Sequence, residues 1–134
     1  AKVKGIDLNK FNIDQANRKD IPTELSKIDI GIFFIRPSFS KQASSPVKQG
    51  ELMSMGIPAI TNSGVGDTDE IINQYKSGIL INQFDDKNYI KAIDKIEALL
   101  SIPTESILKG AESYFSLKNC TEKYTEVYNS ILKK

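Results

Sequence analysis

The chain lacks histidine and tryptophan, and it has a single cysteine, Cys120, among 134 residues. A lone cysteine excludes a disulfide within the chain and any zinc site built from several cysteines. The absence of histidine removes the commonest general base and the commonest metal ligand. Histidine-based catalytic triads and zinc hydrolases are therefore excluded for this chain.

Long apolar runs and an excess of one charge are also lacking. No stretch of about 18 apolar residues is present, so no transmembrane helix is predicted. The opening residues, AKVKGIDLNK, do not contain the apolar core of a signal peptide. The 18 Lys and Arg residues balance 17 Asp and Glu residues, which gives no general electrostatic reason to expect nucleic acid as a partner. From these features we expect a cytoplasmic, reducing setting.

What is present suits one domain spanning residues 1–134, with 40% hydrophobic and 26% charged residues. The run IDIGIFFIRP, residues 28–37, predicts a strand buried on both faces, as in a parallel sheet. Further short strands are predicted at 57–61 and 78–82. Such strands alternating with helices predict an α/β fold, a parallel sheet with helices on both faces. The predicted helices cover 19–29, 46–56, 67–75, 85–100, 103–115 and 119–132, and residues 9–16 are ambiguous, with a strand as one reading.

One corner of this fold combines features of a ligand site, in the run SSPVKQGELMSMGIPAITNSGVGD from Ser44 to Asp67. The loops at 37–45 and 62–66 follow predicted parallel strands, and ligands collect beyond the carboxyl ends of such strands. The amides that open the 46–56 helix favour a diphosphate. Lys48 and Glu51 are three residues apart, so both side chains project to the same side of that helix.

These residues predict roles in binding a nucleotide. Lys48 would neutralise phosphate, and the Glu51 carboxylate would accept hydrogen bonds from ribose hydroxyls. Gly64 and Gly66 would let the second loop approach a ligand closely. Two simpler interpretations stay open. In the first, Lys48 and Glu51 form only a surface ion pair, worth about 0.2–0.5 kcal/mol. In the second, the two glycines only shape a turn.

The DTD sequence of residues 67–69 imitates a D-x-D motif that holds divalent ions in some enzymes. Its place between a loop and a helix favours helix capping instead. The pair Asp85 and Asp86 is interpreted in the same way. We therefore predict no metal site.

The series P-x-K-x-x-E, GIPAIT, a glycine-containing loop and an acidic helix start resembles the donor-binding, C-terminal half of GT-B glycosyltransferases. The likeness is to the retaining group-1 (family 4) enzymes and covers about Ile21 to Leu100. It implies a Rossmann-like domain whose nucleotide-sugar donor is a substrate, with no metal or other cofactor. In that family the residue at Glu51 holds the ribose. The amides and the basic group near Ser45, Pro46, Val47 and Lys48 are implied to lie by the diphosphate and sugar, and Ser44 is counted with these binding residues. The loop of Gly64, Val65 and Gly66 is implied to close the site from the next strand.

The sequence departs from the family pattern in two ways. Many members carry a glutamate eight residues before the second one, where this chain has Ala43. The first strands of the family's domain are not recognisable in residues 1–20. Either the chain is a truncated piece of a longer protein or its first strands come from elsewhere, and truncation is favoured. We therefore expect part of a two-domain enzyme that binds donor but hardly turns it over. The acceptor, a glycan or a lipid-linked sugar, and any peripheral membrane contact would belong to an absent N-terminal domain.

Two other functions are weighed against this one. The first is a binding or assembly module that keeps the nucleotide-sugar fold without catalysis, which Ala43 favours. The second is a receiver-like signalling domain, because GIPAIT is similar to a late strand of phosphate-accepting receiver domains. The predicted first strand ends in Arg36 and Pro37 rather than in a phosphate-accepting aspartate, which argues against signalling.

Overall fold

The computed structural model describes residues 7–132. The described residues form three β-strands and seven α-helices that alternate over the first part of the chain, so the fold is mixed α/β as predicted. The elements are α1 (Ile21–Leu25), β1 (Gly31–Ile32), α2 (Val47–Ser54), β2 (Ala59–Asn62), α3 (Thr68–Tyr75), β3 (Gly78–Ile81), α4 (Asp86–Ile93), α5 (Ile96–Leu100), α6 (Thr104–Phe115) and α7 (Leu117–Leu132). Short 3₁₀ helices cover Leu8–Lys10, Arg18–Asp20 and Phe39–Ala43.

The three strands form one parallel sheet in the order β1-β2-β3. Gly31 pairs with Ala59, and Ala59 pairs with Gly78. Because all strands run the same way, the loops after β1 and β2 leave the sheet at the same edge. The predicted parallel arrangement is confirmed, and it places the two candidate loops side by side.

The first strand is much shorter than the predicted span of 28–37. Only Gly31–Ile32 pairs with β2 as a regular ladder. Beyond it, the Ile35 N–H donates to Asn62 Oδ1 at 2.7 Å, and Asn62 Nδ2 donates to the Ile35 carbonyl at 2.9 Å. The chain therefore continues beside β2, but a buried side-chain amide replaces the backbone ladder.

The prediction that this strand is buried on both faces is wrong for part of it. Phe33 is buried, whereas the Ile32 side chain is 64% exposed and Phe34 is 43% exposed. The reason is position, because β1 is an edge strand of the described sheet, and Phe34 meets the rings of Phe84 and Tyr89 without being buried by them.

Helices cover both faces of the sheet. Successive strand residues point to opposite faces, and Ala59 packs with Leu52 of α2, whereas Ile60 packs with Ala92 of α4 and Leu99 of α5. On the α2 side, a second layer joins α2, α3 and α6. Its centre is formed by three fully buried side chains, Met53, Ile71 and Ile107.

Two further predictions need correction. The predicted helix at 85–100 is divided into α4 and α5, because the Lys95 N–H bonds to the Ala92 carbonyl three residues back and interrupts the α-helical ladder. No strand forms in residues 9–16, whose apolar side chains Phe11 and Ile13 are exposed, so burial does not support one.

The later helices agree with the sequence pattern. Asp85 caps α4, since its Oδ1 accepts a hydrogen bond from the Asn88 N–H at 2.8 Å. The helix α7 contacts α6, and none of its residues is buried. No helix of the described part is long and apolar enough to cross a membrane.

Candidate functional site

The amino end of α2 lies at the centre of the candidate site. Pro46 precedes the helix in an extended conformation and has no polar side chain, so no side chain caps the first turn. The first amides of an α-helix have no partner within the helix. The start of α2 therefore offers N–H groups to an anion, beside the carboxyl ends of β1 and β2.

The two predicted loops meet at this point. Gly66 has a φ of +47°, and a Cβ added there would overlap the carbonyl oxygen of Ser44. The close approach that Gly66 permits is thus to the other loop rather than directly to a ligand. Gly64 has a φ of +82° and open space around its Cβ position, so it acts as a turn glycine.

Three cavities lined by the described residues border α2 or the loop before it. The largest of these three, the Arg18 cavity of about 580 Å³, runs along the flank of α2 from Ser45 to Met55. Apolar side chains of α1 form one wall, and Phe115 at the end of α6 contributes an aromatic ring. Arg18 and Glu51 bring opposite charges to the lining, and Ser45 lies at the amino end of α2. The cavity suits a ligand with an apolar body and both hydroxyl and anionic groups.

A smaller groove of about 260 Å³, the Lys48 groove, lies between α1, β1 and α2. Lys48 and Glu51 both line it, so Glu51 stands between this groove and the Arg18 cavity. The interpretation of these two residues as an ion pair is wrong, since Glu24–Lys27 is the one salt bridge within residues 7–132. Lys48 and Glu51 are both exposed and face shared space without neutralising each other.

The third cavity, the Glu70 cavity, has a volume of about 420 Å³ and lies between the two loops. One wall consists of residues 42–45, and the other of Gly66, Asp67 and Glu70. Ser45 lines both this cavity and the Arg18 cavity. The two spaces are therefore adjacent and meet at the residue that precedes Pro46.

Asp67 holds the start of α3 against α6 rather than capping it. Its Oδ2 accepts a hydrogen bond from the Tyr114 hydroxyl at 2.8 Å, and it makes no capping bond to α3. This hydrogen bond, with a smaller effect of burial, raises the pKa of Tyr114 to about 12. The capping role predicted for Asp67 is thus wrong, because its carboxylate turns to a partner 47 residues away.

Asp69 supports the glycine loop. Its carboxylate accepts hydrogen bonds from the Ser63 hydroxyl and, at 3.3 Å, from the Gly64 N–H. Within residues 7–132 no group of three or more Cys, His, Asp or Glu side chains is placed to hold a metal ion. Of the two carboxylates of the DTD sequence, Asp69 fixes the glycine loop and Asp67 holds α3 against α6.

Not all predicted site residues point toward these spaces. Val65 is 1% exposed and Pro46 is buried, so their side chains belong to the interior. Val47 is 73% exposed and lines the Arg18 cavity. Ser44 and Ser45 line the Glu70 cavity, whereas Gly64 lines none of the three spaces.

Four residues near the site were not assigned a ligand-related role from the sequence: Arg18, Phe115, Glu70 and Tyr114. The sequence could have indicated a role for Glu70, since it is an acid in the first turn of the helix that follows the glycine loop. It could not have done so for Phe115, because only the packing of α6 against α2 brings it to the Arg18 cavity.

Comparisons of the chain with protein-family models, with curated proteins and with solved structures found no match. The functional argument therefore depends on the residues and the geometry.

Proposed function

We propose that this chain is the nucleotide-sugar-binding, Rossmann-like part of a retaining GT-B glycosyltransferase. The observation that carries the proposal is the meeting of two separate loops at the uncapped start of α2, beyond the carboxyl ends of β1 and β2. In parallel α/β sheets this is where phosphate-bearing ligands bind. Three connected features then match three parts of a nucleotide-sugar.

The Arg18 cavity fits the nucleoside. Its volume lies within the range of about 300–1,000 Å³ usual for small-molecule sites. The base would pack against Phe115 and the apolar side chains of α1, and the ribose hydroxyls would donate hydrogen bonds to Glu51. A carboxylate without an ion-pair partner is suited to this role, because no internal bond has to be broken first.

The diphosphate would lie across the start of α2. The amides of the first turn and the Lys48 ammonium would stabilise the negative charge that grows on the departing nucleoside diphosphate. Lys48 and Glu51 are therefore assigned to the catalytic site, and no metal ion is required for this charge stabilisation. The sugar would pass, with retention, to a glycan or lipid-linked acceptor held by an N-terminal domain in the cytoplasm.

A non-catalytic nucleotide-sugar-binding module is the second candidate. Ala43 favours it, since this residue lines the Glu70 cavity without a functional side chain. The two candidates differ in one property, which is sugar transfer when the chain is joined to an acceptor-binding domain. Both require nucleotide-sugar binding by the chain itself.

Isothermal titration calorimetry of the chain with UDP, GDP, UDP-glucose and GDP-mannose tests the common requirement. We expect saturable one-site binding to at least one nucleotide and its sugar derivative, with the free nucleosides bound more weakly. Absence of binding to all four compounds would overturn the proposed function.

A further inference from the structure

We propose that Glu70 holds the sugar of the donor by accepting hydrogen bonds from its hydroxyl groups. This inference rests on the proposed function and adds a residue that the family resemblance does not assign. It assigns the Glu70 cavity to the sugar and the Arg18 cavity to the nucleoside.

The charge of the Glu70 cavity is the first argument. Its lining residues include two carboxylates, Asp67 and Glu70, and no lysine or arginine. Such a space repels a diphosphate, since like charges at close range are unfavourable, but carboxylate oxygens are strong acceptors for hydroxyl groups. A neutral, hydroxyl-rich group is therefore the part of a nucleotide-sugar that this cavity suits.

The position of the cavity is the second argument. Ser45 lines both cavities: the Arg18 cavity extends from it along the flank of α2, and the Glu70 cavity extends from it between the two loops. A donor with its nucleoside in the Arg18 cavity and its diphosphate at the α2 amides would extend its sugar toward the Glu70 cavity.

The hydrogen bonds decide between the two carboxylates. Asp67 is committed at Oδ2, which accepts from Tyr114, and its Oδ1 has no hydrogen-bond partner but is buried away from solvent. Glu70 is exposed and makes no hydrogen bond or ion pair with any residue in the described range 7–132. Glu70 is thus the carboxylate whose oxygens remain accessible to a sugar.

The opposite wall explains why an acid at position 70 matters. Ala43 faces the same cavity and has no polar side-chain atom. A carboxylate for the sugar hydroxyls therefore comes from α3 rather than from the loop before α2. A glutamate introduced at position 43 would place a second carboxylate across the same space.

Calorimetry of Glu70→Gln tests the assignment. The measured quantity is the sugar increment, which is the ratio of Kd for UDP to Kd for UDP-glucose, or for GDP to GDP-mannose, whichever nucleotide binds more tightly. We expect the increment to fall about tenfold, because hydrogen bonds to a charged acceptor are lost. Affinity for the nucleoside diphosphate alone should be unchanged or higher, since a nearby negative charge is removed.

Glu105→Gln is the matched control, since Glu105 is an exposed acid in the first turn of α6 and lines none of the three spaces. It should leave the sugar increment unchanged. Introducing Ala43→Glu into the Glu70→Gln variant should restore most of the increment. If Glu70→Gln does not fold, Ala43→Glu in the wild-type chain supplies the test by raising the increment.

The outcomes separate the two proposals. If the wild type binds no nucleotide, the proposed function fails and the inference fails with it. If the wild type binds nucleotide but shows no sugar increment, or if Glu70→Gln folds and leaves the increment unchanged, only the role of Glu70 is overturned. Where Glu70→Gln does not fold, an unchanged increment in Ala43→Glu overturns it.

Discussion

The two cavities that meet at Ser45 differ in their charged groups. The Arg18 cavity combines one cation and one carboxylate with an apolar and aromatic wall, whereas the Glu70 cavity has two carboxylates and no cation. A nucleoside phosphate needs an apolar wall for its base and a cation for its charge, which the Arg18 cavity supplies. A sugar needs acceptors for its neutral hydroxyls, which the Glu70 cavity supplies. The difference gives the bound donor a direction, with the nucleotide toward α1 and the sugar toward α3.

The largest effect on stability is expected from a substitution that forces apart the two loops lining the Glu70 cavity. Gly66→Ala adds a Cβ that overlaps the Ser44 carbonyl oxygen, at a residue with a φ of +47°. Overpacking and left-handed backbone strain together should reduce the free energy of unfolding by about 2–5 kcal/mol. Chemical denaturation measures this change.

Gly64→Ala is the control for backbone strain alone. Its φ is also positive, at +82°, but its added Cβ meets no atom within 4 Å. We expect a loss of about 1–2 kcal/mol. Equal losses in the two variants would show that the contact between the loops does not hold them together.

The next largest effect is expected on the nucleotide side. Glu51→Gln removes a charged acceptor from the Arg18 cavity, so it should weaken donor binding roughly ten- to hundredfold with little change in unfolding free energy. Calorimetry measures the affinity, and Glu112→Gln, an exposed acid on α6, serves as the control. Unchanged donor affinity in Glu51→Gln would contradict the assignment of the nucleoside to the Arg18 cavity.

Lys48→Ala should act on phosphate rather than on the nucleoside. Loss of one partly solvated charge at the start of α2 should weaken binding of the nucleoside diphosphate several-fold, to about tenfold, while the affinity for the free nucleoside stays the same. Calorimetry with both compounds gives the comparison. An equal loss for both would indicate that Lys48 supports the fold of the groove instead.

A smaller effect is expected from the hydrogen bond that commits Asp67 to the protein. Tyr114→Phe should lower the free energy of unfolding by about 1 kcal/mol at pH 7, because one hydrogen bond to a carboxylate is lost. The pKa of Tyr114 is raised from 10.0 to about 12 in the folded protein. The stabilisation by the neutral hydroxyl is therefore complete below pH 10 and is lost as the pH rises toward 12.

Denaturation of the wild type and of Tyr114→Phe between pH 8 and pH 12 checks this prediction. The difference in stability between the two proteins should shrink over the upper part of that range. A difference in unfolding free energy that is independent of pH would mean that the Tyr114 hydroxyl does not donate a hydrogen bond to Asp67. Oδ2 of Asp67 would then also be free to accept a hydrogen bond from a ligand.

The smallest expected effect is that of a chelator. Since amides of α2 and Lys48 are assigned to the diphosphate, nucleotide-sugar affinity should be the same within error with and without EDTA. Calorimetry in both buffers measures it. Loss of binding in EDTA with recovery on adding Mn²⁺ would contradict the assignment of phosphate to these groups.

The parts of the fold set by local signals were predictable. Pro46 marked the start of α2, and the short apolar runs marked β2 and β3 to within two residues. The first strand was not predictable in its extent, because the apolar residues after Gly31 suit a strand, whereas the partner beyond Ile32 is partly the side chain of Asn62. Sequence periodicity does not contain that information.

The site shows the same division. The meeting of the two loops followed from chain order in a parallel sheet. The sequence predicted that Gly64 and Gly66 approach a ligand, whereas the close neighbour of Gly66 is the Ser44 carbonyl and Gly64 has none. The turn of Asp67 toward Tyr114 was not predictable, since it depends on how α6 packs beside α3. The sequence therefore does not show which of the two carboxylates, Asp67 or Glu70, is available to a ligand. The structure shows it through the hydrogen bond from Tyr114 to Asp67.

The central claim, that a nucleotide-sugar spans the start of α2, is tested most directly by amide chemical-shift mapping. The ¹⁵N-labelled chain would be titrated with UDP-glucose and with GDP-mannose. We predict that the shifted amides cluster at residues 44–51, apart from Pro46, and at residues 64–70. The amides of residues 18–21 should also shift, because the nucleotide part is assigned to the Arg18 cavity, and those of α7 should not. Shifts confined to other surfaces, or no shifts at millimolar ligand, would contradict the account.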